Sequence, residues 1–155
     1  MIPKTHLKAL QIIHKALWDE YMAWAVTGST NMALQGMMVT PKDIDIQANE
    51  EDAYKIAELL SEYVVEPVAF KESDKIKSHC GKLEIEGVQV EILGAVQNKL
   101  EDGSWEEPVN VMDFRLTVVY INLKMPVLDL EYERDAYKIM GRADKVKILD
   151  RYLGY

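Results

Sequence analysis

Two aspartates separated by one residue, Asp43 and Asp45, are the side chains of this sequence best suited to chemistry. In an extended strand, side chains two positions apart share a face, about 6.6 Å apart along the chain. Asp43 and Asp45 are therefore expected to point one way, while Ile44 and Ile46 point the other way into a core. Two carboxylates on one side of a sheet repel each other unless cations bridge them. Hard, oxygen-seeking Mg²⁺ is the natural cation, above all where phosphates bring further oxygens. Strand interiors also tend to avoid aspartate, so a pair in one short strand asks for a reason. A calcium loop is a poor alternative, because Asp43-Ile44-Asp45 lacks the later ligands and the glycine of such loops.

The preceding segment supplies a second half-site. The run Trp24-Ala25-Val26-Thr27 is expected to end a strand, and Thr30 to Gln35 to form a short helix closed by Gly36. Between them stand Gly28 and Ser29. Backbone N–H groups at a helix start are unpaired, and the local dipole favours an anion there. Gly28 lets the backbone approach a phosphate closely, and the Ser29 hydroxyl can donate to it. Phosphates on one wall and metal-binding carboxylates on the next describe a site for a nucleoside triphosphate.

A strand ending in Gly28-Ser29, a short helix, then Asp43-Ile44-Asp45 on the next strand resembles the nucleotidyltransferase superfamily with the DNA polymerase β fold. Within it, the chain is most similar to the small, minimal nucleotidyltransferases. The resemblance covers Trp24 to about Leu93 by motif, and Ala136 to Lys145 is similar to the C-terminal helices of some prokaryotic members. It implies an α+β fold: a central mixed, mostly antiparallel sheet with helices packed on one face, in a single domain over residues 1–155. It also implies a third carboxylate on a later strand, and Glu91 fits that place. Glu84 and Glu86, in the outgoing half of the same hairpin, do not.

The implied reaction moves a nucleoside monophosphate from an NTP to an acceptor hydroxyl and releases pyrophosphate. Gly28 and Ser29 would hold the β and γ phosphates; Asp43 and Asp45 would bind Mg²⁺, with Glu91 completing a second metal position and able to take the acceptor's proton. The acceptor is expected to be a small molecule, a protein hydroxyl or a nucleic-acid end, the last disfavoured by the negative charge of the chain. A different class of function stays open beside it: a catalytically silent nucleotide-binding protein, or a partner-binding protein of the toxin–antitoxin kind, with the same fold.

Composition agrees with a globular chain. Its 155 residues suit one domain with a proper core, and 48% are apolar. The apolar runs are too short to cross a bilayer and no secretory segment opens the chain, so a cytoplasmic protein without membrane association is expected. A net charge of −8 disfavours non-specific attachment to nucleic acid. The one cysteine, Cys80, excludes an internal disulfide and reads as a small apolar filler.

The elements that must position the site follow from periodicity. Leu7, Leu10, Ile13 and Leu17 predict a helix over Thr5–Tyr21, with His6 and His14 at its surface or boundary. Met37 and Met38 read as core filler in a connector. Asn49 reads as the N-cap of a helix whose acids form a solvated face, with Ala53, Ile56, Ala57, Leu60 and Tyr63 inward. Val64–Val68 reads as a short strand, placed at an edge by Pro67. Phe70 to His79 reads as a solvated, lysine-rich loop. Lys82 to Leu93 is the clearest hairpin, turning at Glu86-Gly87, with Gln89, Glu91 and Leu93 on the face opposite Val88, Val90 and Ile92. A loop after Gly94, more sheet over Val109–Lys124, and two helices from Asp129 complete the chain.

Overall fold

A computed structural model describes residues 1–18 and 21–155. Its first helix, α1 (Lys4–Leu17), follows Pro3 and buries Ala9, Leu10, Ile13 and Leu17. The helix expected to reach Tyr21 thus ends at Leu17, and two of the residues beyond, Asp19 and Glu20, lie outside the described residues.

Among the described residues, seven strands form one sheet. They are β1 (Trp24–Thr27), β2 (Ile44–Ala48), β3 (Val64–Glu72), β4 (Ile76–Ile85), β5 (Val88–Asn98), β6 (Arg115–Tyr120) and β7 (Leu123–Leu128), in the order β3-β4-β5-β2-β1-β7-β6. The β2–β5 and β1–β7 pairs are parallel, and the others antiparallel. This is the mixed, mostly antiparallel sheet that the motif pattern implied.

The larger core lies between this sheet and α1 together with α3 (Glu50–Leu59). Leu10, Ile13, Ala53 and Ile56 pack there against Val26, Ile44, Ile46, Val90 and Ile92. Close approach depends on Gly94 in β5, where an added Cβ would stand 2.6 Å from the Cβ of Ala53. The remaining helices are α2 (Gly28–Leu34), α4 (Leu130–Ile139) and α5 (Ala143–Leu153). They share a second cluster of Met32, Met37, Leu130 and Leu149. A third, small cluster sets Tyr132 of α4 against Ala25 and Leu128, which alternate with the β1 and β7 residues of the larger core. No helix among the described residues is long and apolar enough to cross a membrane.

Several local expectations change. Phe70 to His79 is not a loop: it is the end of β3, a turn held by the Ser73 hydroxyl, and the start of β4. Charged side chains on an exposed edge hide the strand period. β5 runs past Gly94 to Asn98 through a register shift, with Ala95 at positive φ. Val111–Asp113 is a single 3₁₀ turn, and the sheet expected to end at Lys124 continues as β7 to Leu128 through Pro126. Asn49 does stand at the N-cap position of α3, but its side chain accepts from the Val111 N–H instead. Asp52 is more than a solvated acid, since it accepts from the Ala23 N–H at 3.1 Å. His6 is buried rather than at the surface, with Nε2 2.9 Å from the carbonyl oxygen of Lys42. Of the two methionines, Met37 is core filler and Met38 is fully exposed.

Candidate functional site

The sheet register brings the acids together. Antiparallel pairing sets Thr27 opposite Asp45, and parallel pairing sets Asp45 opposite Glu91. Cross-strand neighbours share a face, so Thr27, Asp45 and Glu91 form one row across three strands. Their neighbours in the chain, Val26, Ile44, Ile46, Val90 and Ile92, turn to the opposite face and are buried in the larger core. The alternation that pushes isoleucines inward is therefore what pushes the carboxylates out.

Asp43 stands just before β2 and is exposed. Its backbone is pinned twice. The Thr30 hydroxyl of α2 donates to the Asp43 carbonyl at 2.8 Å, and His6 contacts the carbonyl of the preceding residue. Glu84 and Glu86 are exposed: Glu84 stands opposite Gln89 on the outgoing strand and Glu86 lies in the turn, so neither is a member of this row.

The turn after β1 faces the row directly. Gly28 has φ +70°, and a Cβ built there would meet Asp45 Oδ2 at 2.8 Å. Only glycine satisfies both the backbone angle and the space. Ser29, half-buried, follows in the first turn of α2. The helix is fixed from behind, where Asn31 and Gln35 donate to the Leu128 carbonyl at 2.8 and 2.9 Å.

One carboxylate at the site escaped the sequence reading. Glu133 of α4 is 2% exposed; it accepts the Gly28 N–H at 2.8 Å through Oε2 and the Thr27 hydroxyl through Oε1. Leu130 and Glu133 are the buried residues of α4, while Ile139 is exposed. The available signal was a glutamate at helical spacing between Leu130 and Tyr137, both of which pack in the second cluster.

Electrostatics mark the same place. Burial, then the charges of Glu91 and Asp43, push the Asp45 carboxyl up to about 6. Burial pushes Glu133 up to about 7 against the opposing effect of its hydrogen bonds. Burial, with the charges of Glu133 and Asp45, also raises the Tyr137 hydroxyl above its ordinary range. Positive charge lies on the flanks. Lys82 is opposite Glu91 in the β4–β5 register, and Arg142 pairs with Asp144 while its guanidinium stands 5.9 Å from the Tyr137 ring centroid.

The donor set suits a hard divalent ion: carboxylate oxygens alone, with Asp45 destabilised in its charged form by the two acids beside it. Among the described residues no three His, Cys, Asp or Glu side chains converge tightly enough to hold a metal by themselves. An ion bound here would need its remaining oxygens from water or phosphate, the usual habit of Mg²⁺.

Comparison with known proteins gives the same picture. Residues 9–151 match the family model described as aminoglycoside-2''-adenylyltransferase. The crystal structure of a candidate nucleotidyltransferase from Thermotoga maritima is similar over 99% of this chain and 96% of its own, with 44% identity and a TM-score of 0.88. LnuA, a lincosamide antibiotic adenylyltransferase solved with lincomycin bound, is similar in fold, with 14% identity, a TM-score of 0.55, and 96% and 97% of the two chains covered. Among curated proteins there is no significant sequence match.

Proposed function

This chain belongs to the aminoglycoside-2''-adenylyltransferase family, and from that premise we propose that it is a Mg²⁺-dependent transferase moving the nucleoside monophosphate of an NTP, with ATP as the family's donor, onto an acceptor hydroxyl. The observation that carries the reading is the Thr27–Asp45–Glu91 row with the Gly28-Ser29 turn against Asp45.

In this reading Asp43 and Asp45 hold Mg²⁺, and Glu91 completes the position for a second ion. Bound there, Mg²⁺ offsets the charge of the triphosphate and of the departing pyrophosphate. Gly28 leaves room for a phosphate to approach the backbone. Its own N–H is committed to Glu133, so the turn's donors to the β and γ phosphates are the N–H and hydroxyl of Ser29. Glu91 accepts the proton of the acceptor hydroxyl as that oxygen bonds to the α-phosphorus and the bond to pyrophosphate breaks. Little covalent work falls to the protein, because phosphoryl transfer rests on positioning and charge neutralisation.

The acceptor proposed is a small, cationic, hydroxyl-bearing molecule of the aminoglycoside class. Support comes from the family and from charge: a chain of net charge −8 with carboxylates on an open face attracts polycations and repels nucleic acid. The test is incubation with each NTP, Mg²⁺ and a panel of aminoglycosides and other hydroxyl compounds. Pyrophosphate release, with an acceptor heavier by one nucleoside monophosphate, is the expected result. Tight NTP binding without either product across the panel would instead favour a silent nucleotide-binding protein.

A further inference from the structure

The two edges of the sheet are built differently. β3 is defended in the usual ways: it carries Glu66, Lys71 and Glu72, it contains Pro67, and its register against β4 shifts twice. β6, the other edge, has no proline and no register shift, and its one charge, Arg115, stands at its first position. From Leu116 to Leu123 the chain is uncharged, and Leu116, Val119 and Ile121 are exposed. An open, regular, apolar edge strand is a template for another strand.

The hairpin geometry says which backbone groups are open. Ile121 and Asn122 both have positive φ, at 46° and 65°, so the β6–β7 turn is of the two-residue type whose flanking pair, Tyr120 and Leu123, is hydrogen-bonded. Antiparallel ladders alternate. Val118 and Leu116 therefore bond to β7, while Val119, Thr117 and Arg115 turn their N–H and C=O groups outward. Thr117 stands opposite Pro126, which has no N–H to offer it in any case.

We propose that this edge pairs with β6 of a second copy of the chain, antiparallel and centred on Thr117, joining two sheets into one. The pattern is self-complementary. With the two-fold axis at Thr117, threonine faces threonine, Leu116 faces Val118 and Arg115 faces Val119, so no like charges oppose each other. Arg115 is also held within its own chain, donating through Nη1 to the Met22 carbonyl at 3.1 Å and the Trp24 carbonyl at 3.4 Å. The apolar surface continues beyond the strand. A cleft of about 870 Å³ is bounded by Trp18, Met22, Trp24, Arg115, Thr117 and Val119, well apart from the acidic row, and the copy's Val119 would be delivered beside Arg115 at its margin. For a chain of net charge −8, association between copies is favoured at a strand free of acids, and β6 carries none.

Light scattering of the purified full chain, coupled to size exclusion, tests the pairing. The expected mass is near twice the 17.8 kDa of one chain. Thr117→Pro removes an outward N–H without touching the β7 ladder, and Val119→Lys places a charge on the edge; each is expected to halve the mass while circular dichroism stays unchanged. Should the proline variant fail to fold, hydrogen exchange of the wild-type chain decides, since pairing protects the amides of Thr117 and Val119 and an open edge leaves them exchanging as freely as a loop. A monomeric wild type, a dimer that survives Val119→Lys, or unprotected amides at those two positions would each overturn the proposal.

Discussion

Glu133, from the fourth helix, holds the backbone N–H of Gly28, the residue on which the candidate phosphate turn is hinged, at 2.8 Å. The same carboxylate takes the Thr27 hydroxyl, so one side chain fixes the end of β1 and the start of α2 together. It does so while buried, without a basic partner among the described residues, and burial raises it from 4.5 to about 7. A carboxyl raised in the folded state binds its proton more tightly folded than unfolded between those two values. Stability is therefore expected to be fullest below pH 4.5 with respect to this group, and to fall as pH rises from 4.5 through about 7. Glu133→Gln, which keeps an acceptor but cannot ionise, is expected to flatten that part of the curve. Denaturant midpoints of both proteins across the interval check it; parallel curves would remove Glu133 as the source.

Gly28→Ala is expected to damage both fold and turnover. The left-handed backbone angle costs a residue with a Cβ about 1–2 kcal/mol, and the new methyl would press on Asp45 Oδ2 at 2.8 Å. The unfolding free energy read from a denaturant titration should drop by at least that amount. Any folded fraction should lose pyrophosphate release, since Asp45 must move to make room.

How much of this was legible in the sequence follows from how local each signal is. The alternation of Val88 to Leu93 and of Ile44 to Ile46 survives into the structure because strand period depends only on neighbours in the chain, whereas Asp43 falls just before the strand expected to hold it. Gly28 was legible as a special turn for the same reason. That Asp45 and Glu91 are partners in register was not: it depends on a parallel pairing whose connection runs through α3, β3 and β4. Glu133 was hidden more completely. Its partners are Thr27 and Gly28, more than a hundred residues earlier, and in the sequence it stands among Glu131, Arg134 and Asp135 like any solvated helix acid. Lys71, on the edge strand β3, and Lys82, on β4, look like loop and hairpin charges in the sequence because the register between strands is invisible until the sheet closes.

Asp45→Asn separates chemistry from folding. The native carboxyl is raised to about 6 by burial and by the charges of Glu91 and Asp43, so its ionised form is a burden on the folded chain at neutral pH. The amide is expected to leave thermal stability at pH 7 unchanged or slightly higher. Turnover with Mg²⁺ should fall by more than the roughly 10–100-fold typical of changes around a metal ligand. Pyrophosphate release and a thermal melt on the same preparation decide it, and retained activity would remove Asp45 from the site.

Ser29→Ala probes the other wall alone. Ser29 lies in the turn between Gly28 and Thr30, and no hydrogen bond within the chain claims its hydroxyl among those described. Its removal should leave the fold intact, because the anchors of α2 are the Thr30 hydroxyl on Asp43 and Asn31 on Leu128. A hydrogen bond to a charged group contributes about 1.5–3 kcal/mol, so the expected effect is a rise of roughly tenfold or more in KM for the NTP. That rise should exceed any loss in kcat if the hydroxyl grips a phosphate throughout the reaction rather than only in the transition state. Steady-state kinetics with the NTP varied at saturating acceptor reads the two apart. A variant with unchanged KM would move phosphate recognition from this turn to Lys82, which stands opposite Glu91.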